Sequence, residues 1–237
     1  MKKLDIKQLE TPDFFQEVDK NDRRYIHCRV LIVCEGKKTE PYYFRSFEMM
    51  QIKQSYVFEV ECDGGGINTM TVVDKAIELK TKAEEDRKPF DAVWVVFDKD
   101  SFDDATFDNA INRAASNGIG CAWSNEAFEL WYIYHFENRV TAMNRKEYKA
   151  AITKHIRNGG LKDFTYEKKN NQMRKLLKEF GGDEAQAIKY AEAQAATFTD
   201  RRYHTHNPAT MVFKLVRLLR GEDKEFNAQI RKSLKKK

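Results

Sequence analysis

Four short apolar runs punctuate the first half of the chain, and helix-periodic stretches separate them. Residues 29–34 (RVLIVC) form a β-branched run of the kind buried on both faces of a parallel sheet. Residues 56–61 (YVFEVE) alternate like a strand, residues 91–97 (DAVWVVF) are the strongest strand in the chain, and residues 119–123 are short but strand-compatible. Between them the pattern predicts a helix entered through Thr39 as cap with Pro41 in its first turn, one from about Asn68 to Arg87 stopped by Pro89, and one from about Asp104 to Ser116. Strands alternating with helices imply a twisted parallel sheet covered on both faces.

After Asn125 the strand signal disappears. The apolar stretch EAFELWYIYHF reads as a helix or a mixed element. Further helices are expected near residues 145–157, 168–180, 183–197, 208–220 and 223–234, with breaks at Gly159-Gly160, Gly181-Gly182 and Asn207-Pro208. The expected organisation is an N-terminal arm (1–27), an α/β domain (28–136) with a parallel sheet of about four strands, and a mainly helical basic region (137–237) packed on it.

Composition narrows the class. With 237 residues and 41% hydrophobic residues the chain can bury a core, which excludes wholesale disorder. Mean hydropathy is −0.71, and no run approaches the roughly 18 apolar residues of a membrane span. No signal peptide is visible at the N-terminus, so the expected location is cytoplasmic with no membrane partner. Cys28, Cys34, Cys62 and Cys121 show no zinc spacing and read as buried, reduced thiols.

Charge is distributed unevenly. Residues 89–111 hold six Asp and one Lys, whereas residues 137–182 are net +7 and residues 201–237 net +8. Basic surfaces of this kind attract polyanions, nucleic acid among them. The acidic spot coincides with the end of the strongest strand. Ligands of open parallel sheets sit beyond the carboxyl ends of the strands. Glu35 directly follows the first strand, and Asp98 and Asp100 follow the third, sharing one side in a period-2 reading with Lys99 opposite. If those strands are neighbours, three carboxylates meet at one edge, with Glu40, Asp103 and Asp104 close behind. Such a set repels itself unless a hard divalent cation joins it, and oxygen ligands point to Mg2+ or Mn2+.

An apolar strand ending in EGK, then a later one ending in DxD, resembles the Toprim fold of topoisomerases, primases and OLD-type nucleases, over roughly residues 28–124. The Toprim resemblance implies Glu35, Asp98 and Asp100 as Mg2+ ligands. More specifically, CEGKKTEPYYF (34–44), FDKD, SNEAFELWYIYHF (124–136) and NPATMVFKLVRLL (207–219) together resemble the RloB family, also met as the AbiLii component of abortive-infection loci. That resemblance implies a metal-dependent Toprim-type nuclease in phage defence, often encoded beside an AAA-type ATPase.

The remaining candidates follow from position. Lys37 and Lys38, in the loop before a helix, are candidates for phosphate contact, Lys37 in catalysis and Lys38 in nucleic-acid binding. Glu129 lies a few residues past the last strand and is a candidate second ligand or general base, with His135 as a weaker proton carrier. Arg201 and Arg202 are candidates for nucleic-acid backbone contact, and His204-Thr205-His206 is a weak metal pattern. Asp63-Gly64-Gly65-Gly66 lacks the Lys-Ser/Thr pair of an ATP loop. Two other readings stay open: a catalytically silent adaptor for an ATPase partner, and primase-like nucleotidyl transfer. Oligomeric state, a homodimer included, is open as well.

Overall fold

A computed structural model describes residues 26–47, 56–64, 69–100 and 103–234, with the backbone only at 26–27, 56–64 and 234. The bulk of the expected N-terminal arm, Gly65, Gly66 and the terminal lysines lie outside the described residues. Three long parallel strands form the centre: β1 (Ile26–Cys34), β2 (Tyr56–Gly64) and β3 (Ala92–Val96). A two-residue strand, β4 (Gly120–Cys121), pairs parallel with β3 at the edge, giving the order β2-β1-β3-β4. β1 starts at Ile26, inside the stretch expected to be an arm, because its full length pairs with β2, Ile26 opposite Tyr56 through Cys34 opposite Gly64.

The period of two along β1 and β3 sorts their side chains between two cores. Leu31, Val33, Val93, Val95 and Phe97 face α2 (Thr69–Glu85) and α3 (Asp104–Ser116), where Val72, Ala76, Phe107 and Ala110 receive them. Cys28, Val30, Ile32, Cys34 and Val96 face the other way, into a larger core built by α1 (Thr39–Arg45) and the helices after Asn125. The thiol of Cys28 is pushed up to about 12 by burial and by the nearby Asp91 carboxylate, so it stays protonated and unreactive.

That larger core runs without a break from the sheet into the helical half. α4 (Glu129–Tyr134) supplies Leu130, Trp131 and Tyr132, and α5 (Arg145–Asn158) supplies Tyr148, Ile152 and Ile156. α6 (Met173–Glu179), α7 (Glu184–Ala195), α8 (Val212–Leu219) and α9 (Lys224–Leu234) complete it. Beneath α1 and α7 lies a charge network. Arg174 donates two bonds to Glu184 (2.7 and 2.9 Å), Arg220 a third (3.1 Å) and the Tyr43 hydroxyl a fourth (2.9 Å).

Two expectations are corrected. Thr39 is not the cap of α1; it is the first helical residue, and its hydroxyl donates to the Lys168 carbonyl at 3.4 Å. Strand structure also returns after Asn125: β5 (Ser124–Asn125) pairs antiparallel with β6 (Ala209–Thr210), tied by the Ser124 and Thr210 hydroxyls at 2.8 Å. A two-residue strand carries no period for a sequence to reveal. Among the described residues no helix is long and apolar enough to cross a membrane.

Candidate functional site

The chain leaves β1 for β2 on one side and later inserts β3 on the other, so β1 and β3 are neighbours running in parallel. This is the switch point of the sheet, where loops leaving the strand ends diverge and open a crevice. Glu35 and Asp98 stand on its two banks. Glu35 extends the ladder, its N–H donating to the Val96 carbonyl at 2.9 Å. The Asp98 N–H then points at Glu35 Oε2, 3.4 Å away.

The loop after β3 is fixed by its neighbour. Lys99 N–H donates to Ser124 (2.8 Å), and Asp100 N–H to Glu126 (3.3 Å). Asp100 takes φ +39°, a left-handed conformation that Asp tolerates better than most residues. Asp98 and Asp100 thereby present carboxylates to one guanidinium: Arg145 Nη2 lies 3.6 Å from Asp98 and 2.9 Å from Asp100. Lys99 turns the other way and pairs with Asp104 at 3.1 Å. A capping box places Arg145: Asn144 accepts from Lys146 and Glu147 N–H, and Glu147 accepts from Asn144 N–H. Arg145 is thus the first residue of α5 and faces the sheet edge.

Two further carboxylates join from the helices. Glu129 opens α4, 4% exposed, accepting from the Tyr166 hydroxyl (2.9 Å) with the Lys168 ammonium at 3.7 Å. Glu40, buried in the first turn of α1, lies back over the loop so closely that a Cβ on Gly36 would collide with its carboxylate. A side chain at position 36 would displace the Glu40 carboxylate from where it lies.

The electrostatics are those of a crowded acidic centre. Burial raises the Glu35 carboxyl to about 7; the bond from Asp98 N–H pulls it back, Glu40 and Asp100 push it up, and the charge of Arg145 lowers it. Asp98 is raised well above the ordinary carboxylate range by burial, then by Glu40 and Glu129. Glu40 is raised by burial and by Glu129. These carboxyls perturb one another across three loops, the arrangement expected where chemistry is done.

Such a set suits a hard cation in one specific respect. Asp98, 7% exposed, keeps its Oδ1 buried and without a hydrogen-bond partner, and the candidate ligand atoms around it are carboxylate oxygens. As the side chains stand, no three acidic, histidine or cysteine groups among the described residues converge to metal-ligating distance. Arg145 supplies the cation of the Asp98–Asp100 pair. Glu35, Asp98, Asp100, Glu40 and Glu129 are the residues that could hold a divalent ion after side-chain rotation.

Other candidates fall elsewhere. Lys37 and Lys38 are exposed on the loop after Glu35. Arg201 is exposed, whereas Arg202 closes on Asp200 (2.8 Å), which matches its charge locally. His204 binds Asp108 (2.7 Å) and His206 binds Asp200 (3.0 Å), so the two imidazoles have separate partners and do not form a metal pair. His135 is core: its Nδ1 is 2.9 Å from the Trp131 carbonyl oxygen, and burial pushes it down to about 4, keeping it neutral. Sequence reading gave no role to Arg145 and left Glu40 in the background. The Asn144–Glu147 capping box marks the start of α5, but nothing local says where that start lands.

A parallel sheet with a buried acidic centre at its switch point defines the class of α/β proteins whose ligand site lies at the strand ends. A family model described as RloB-like protein matches residues 30–219, and the chain belongs to that family. No match was found among curated proteins or among solved structures.

Proposed function

We propose that the protein is a Toprim-type, Mg2+- or Mn2+-dependent nuclease that cleaves phosphodiester bonds in DNA or RNA, in the service of phage defence. The observation that carries this reading is the buried, mutually perturbed carboxylate set at the β1–β3 switch point, with the unpartnered Oδ1 of Asp98 at its centre, in a member of the RloB-like family.

Glu35, Asp98 and Asp100 are the proposed ligands, with Glu40 and Glu129 completing the acidic shell. A bound divalent ion would polarise a phosphoryl oxygen and lower the pKa of a water. The chain's own groups do the rest. Arg145, held by the capping box at the edge of the cluster, offers a guanidinium fork to a phosphate oxygen. Lys37 and Lys168, on loops flanking the same edge, add positive charge to draw in a polyanion. Glu35 or Glu129 would assist proton transfer at the reacting groups.

The test is incubation of the purified protein with plasmid DNA and with total cellular RNA, in Mg2+ or Mn2+ and in chelator, beside Asp98→Ala. The expected result is metal-dependent cleavage that falls at least about 100-fold in the variant. Cleavage that survives chelator or the substitution overturns the metal-site reading. No cleavage of either polymer, with no metal uptake by calorimetry, favours a catalytically silent adaptor for a partner such as an AAA-type ATPase.

A further inference from the structure

The helix that delivers Arg145 to the carboxylates carries a second feature on its outer face. α5 has the sequence RKEYKAAITKHIRN, and helical spacing puts Lys146, Lys149, Thr153, Lys154 and Arg157 on one side. Tyr148, Ile152 and Ile156 are buried in the core, so this rotation is fixed. Lys146, Lys149 and Lys154 are exposed, and among the described residues none has a carboxylate within 4.0 Å. The one acidic residue in the helix, Glu147, is committed to the Asn144 N–H. Together these side chains line a shallow open groove of about 520 Å3.

From Lys146 to Arg157 the row spans about 16 Å, at 1.5 Å per residue. It joins the candidate site from both ends. Arg145, one residue before Lys146, sits on Asp98 and Asp100. At the other end Arg157 donates to the Phe164 carbonyl (2.7 Å), and the Thr153 hydroxyl accepts from Tyr166 N–H (3.0 Å). Tyr166 in turn donates to Glu129. The groove is therefore braced against the carboxylate cluster through its own helix and through the segment that follows it.

Cations in a row without carboxylate partners, interrupted by Ala150 and by a Glu147 that is committed to the helix cap, fit a polyanion of regular charge spacing better than an acidic-and-apolar protein surface. We propose that the outer face of α5 is the track on which the sugar–phosphate backbone of a polynucleotide lies as it enters the site, Lys146, Lys149 and Lys154 each meeting a phosphate. This rests on the reading of the site as one that acts on phosphodiesters. DNA and RNA share that backbone chemistry, and the experiment separates them.

The experiment uses the full-length protein in chelator, so that binding is measured without cleavage. Fluorescence anisotropy follows labelled single-stranded DNA, single-stranded RNA and duplex DNA across a salt series. The variant is Lys146→Glu/Lys149→Glu/Lys154→Glu, with the milder Lys→Gln triple beside it and thermal melts to confirm folding. A matched control, Lys224→Glu/Arg231→Glu/Lys232→Glu, places the same charge change on the exposed face of α9. The track predicts that the α5 triple weakens binding at least 30-fold near 0.1 M salt, on the order of one lost counterion-release contact per lysine, and flattens the salt slope by about 2–3. The α9 control should change affinity less than about fivefold. The polymer that shows the loss names the source.

Unchanged binding in the α5 triple, equal loss in the α9 control, or no binding of any polymer by the wild type overturns the track. Parallel cleavage assays in Mg2+ keep the two ideas apart. Binding lost with α5 but no cleavage by the wild type leaves the track standing and the nuclease reading fallen. Cleavage that ignores the α5 triple does the reverse.

Discussion

Two groups of buried charge stand in this molecule, and they are built on opposite plans. Beneath α1 and α7, Glu184 receives four hydrogen bonds from Arg174, Arg220 and Tyr43, and Arg174 also stacks on Phe47 at 3.5 Å. Burial alone would raise the Glu184 carboxyl, but its bonds and the charge of Arg174 outweigh that and hold it at about 2. At the sheet edge, Glu35, Glu40, Asp98, Asp100 and Glu129 share Arg145 and Lys168, and the carboxyls of Glu35, Asp98 and Glu40 are pushed up. One network is satisfied within the fold. The other is left short of positive charge, the kind of shortage that clusters at functional sites.

The contrast is broken most strongly by removing one carboxylate from each network. Glu184→Gln leaves two guanidinium groups facing a neutral amide, and should cost about 3 kcal/mol, lowering Tm by roughly 6–12 °C. Asp98→Asn removes a buried charge that is crowded by Glu40 and Glu129 and shares the Arg145 guanidinium with Asp100, and at pH 8 it should raise stability by about 1–2 kcal/mol. Thermal or denaturant unfolding of the two variants reads the signs directly. Destabilisation by both would mean that the edge cluster is structural like the other.

The pH dependence sharpens the same comparison. Glu35 has its folded-state pKa raised from 4.5 to about 7, so the folded state holds a proton that the unfolded chain has released. Its contribution to stability therefore falls as pH rises from 4.5 through 7, by about 1–2 kcal/mol once its partial exposure and screening are allowed for. Glu184 works in the other direction: its contribution is present above pH 4.5 and is lost as pH falls towards 2. Denaturant midpoints from pH 3 to 8 should peak near pH 5 and decline on both sides. Glu35→Gln should flatten the upper limb alone. Added Mg2+ should reverse that limb if the cluster binds the ion, because binding favours the ionised carboxyls.

The smallest effect expected is that of Tyr166→Phe, which deletes the hydroxyl that donates to Glu129 at 2.9 Å. It should cost about 1 kcal/mol in denaturant unfolding, and less if Lys168, 3.7 Å from the same carboxylate, closes the gap.

Much of this was legible before any coordinates. The central strands β1 and β3 each carry a continuous apolar run rich in β-branched residues, and α3 spans the stretch from Asp104 to Ser116 that its pattern predicts. Glu35, Asp98 and Asp100 were legible because a strand end is a fixed place in an open sheet. The β5–β6 pair was not, since two residues show no periodicity and their pairing joins positions 86 apart. Glu40 was hard to weigh because only the absent Cβ of Gly36 reveals how near its carboxylate comes to the loop.

The sequence by itself determined the alternation of strands and helices, the excess of acid at one strand end and of base in the helical half. Those are local facts, written in periodicity and composition. Tertiary structure alone decided that β1 and β3 lie side by side, which turns three scattered carboxylates into one strained set. It also decided that a capping box at Asn144 delivers Arg145 onto Asp98 and Asp100, and that Tyr166 and Lys168 fold back over Glu129. The physical reason is that charge and hydrogen bonding act over a few ångströms in space, and the chain brings residues 35, 98, 129 and 145 within that reach only when its two cores have closed around the sheet.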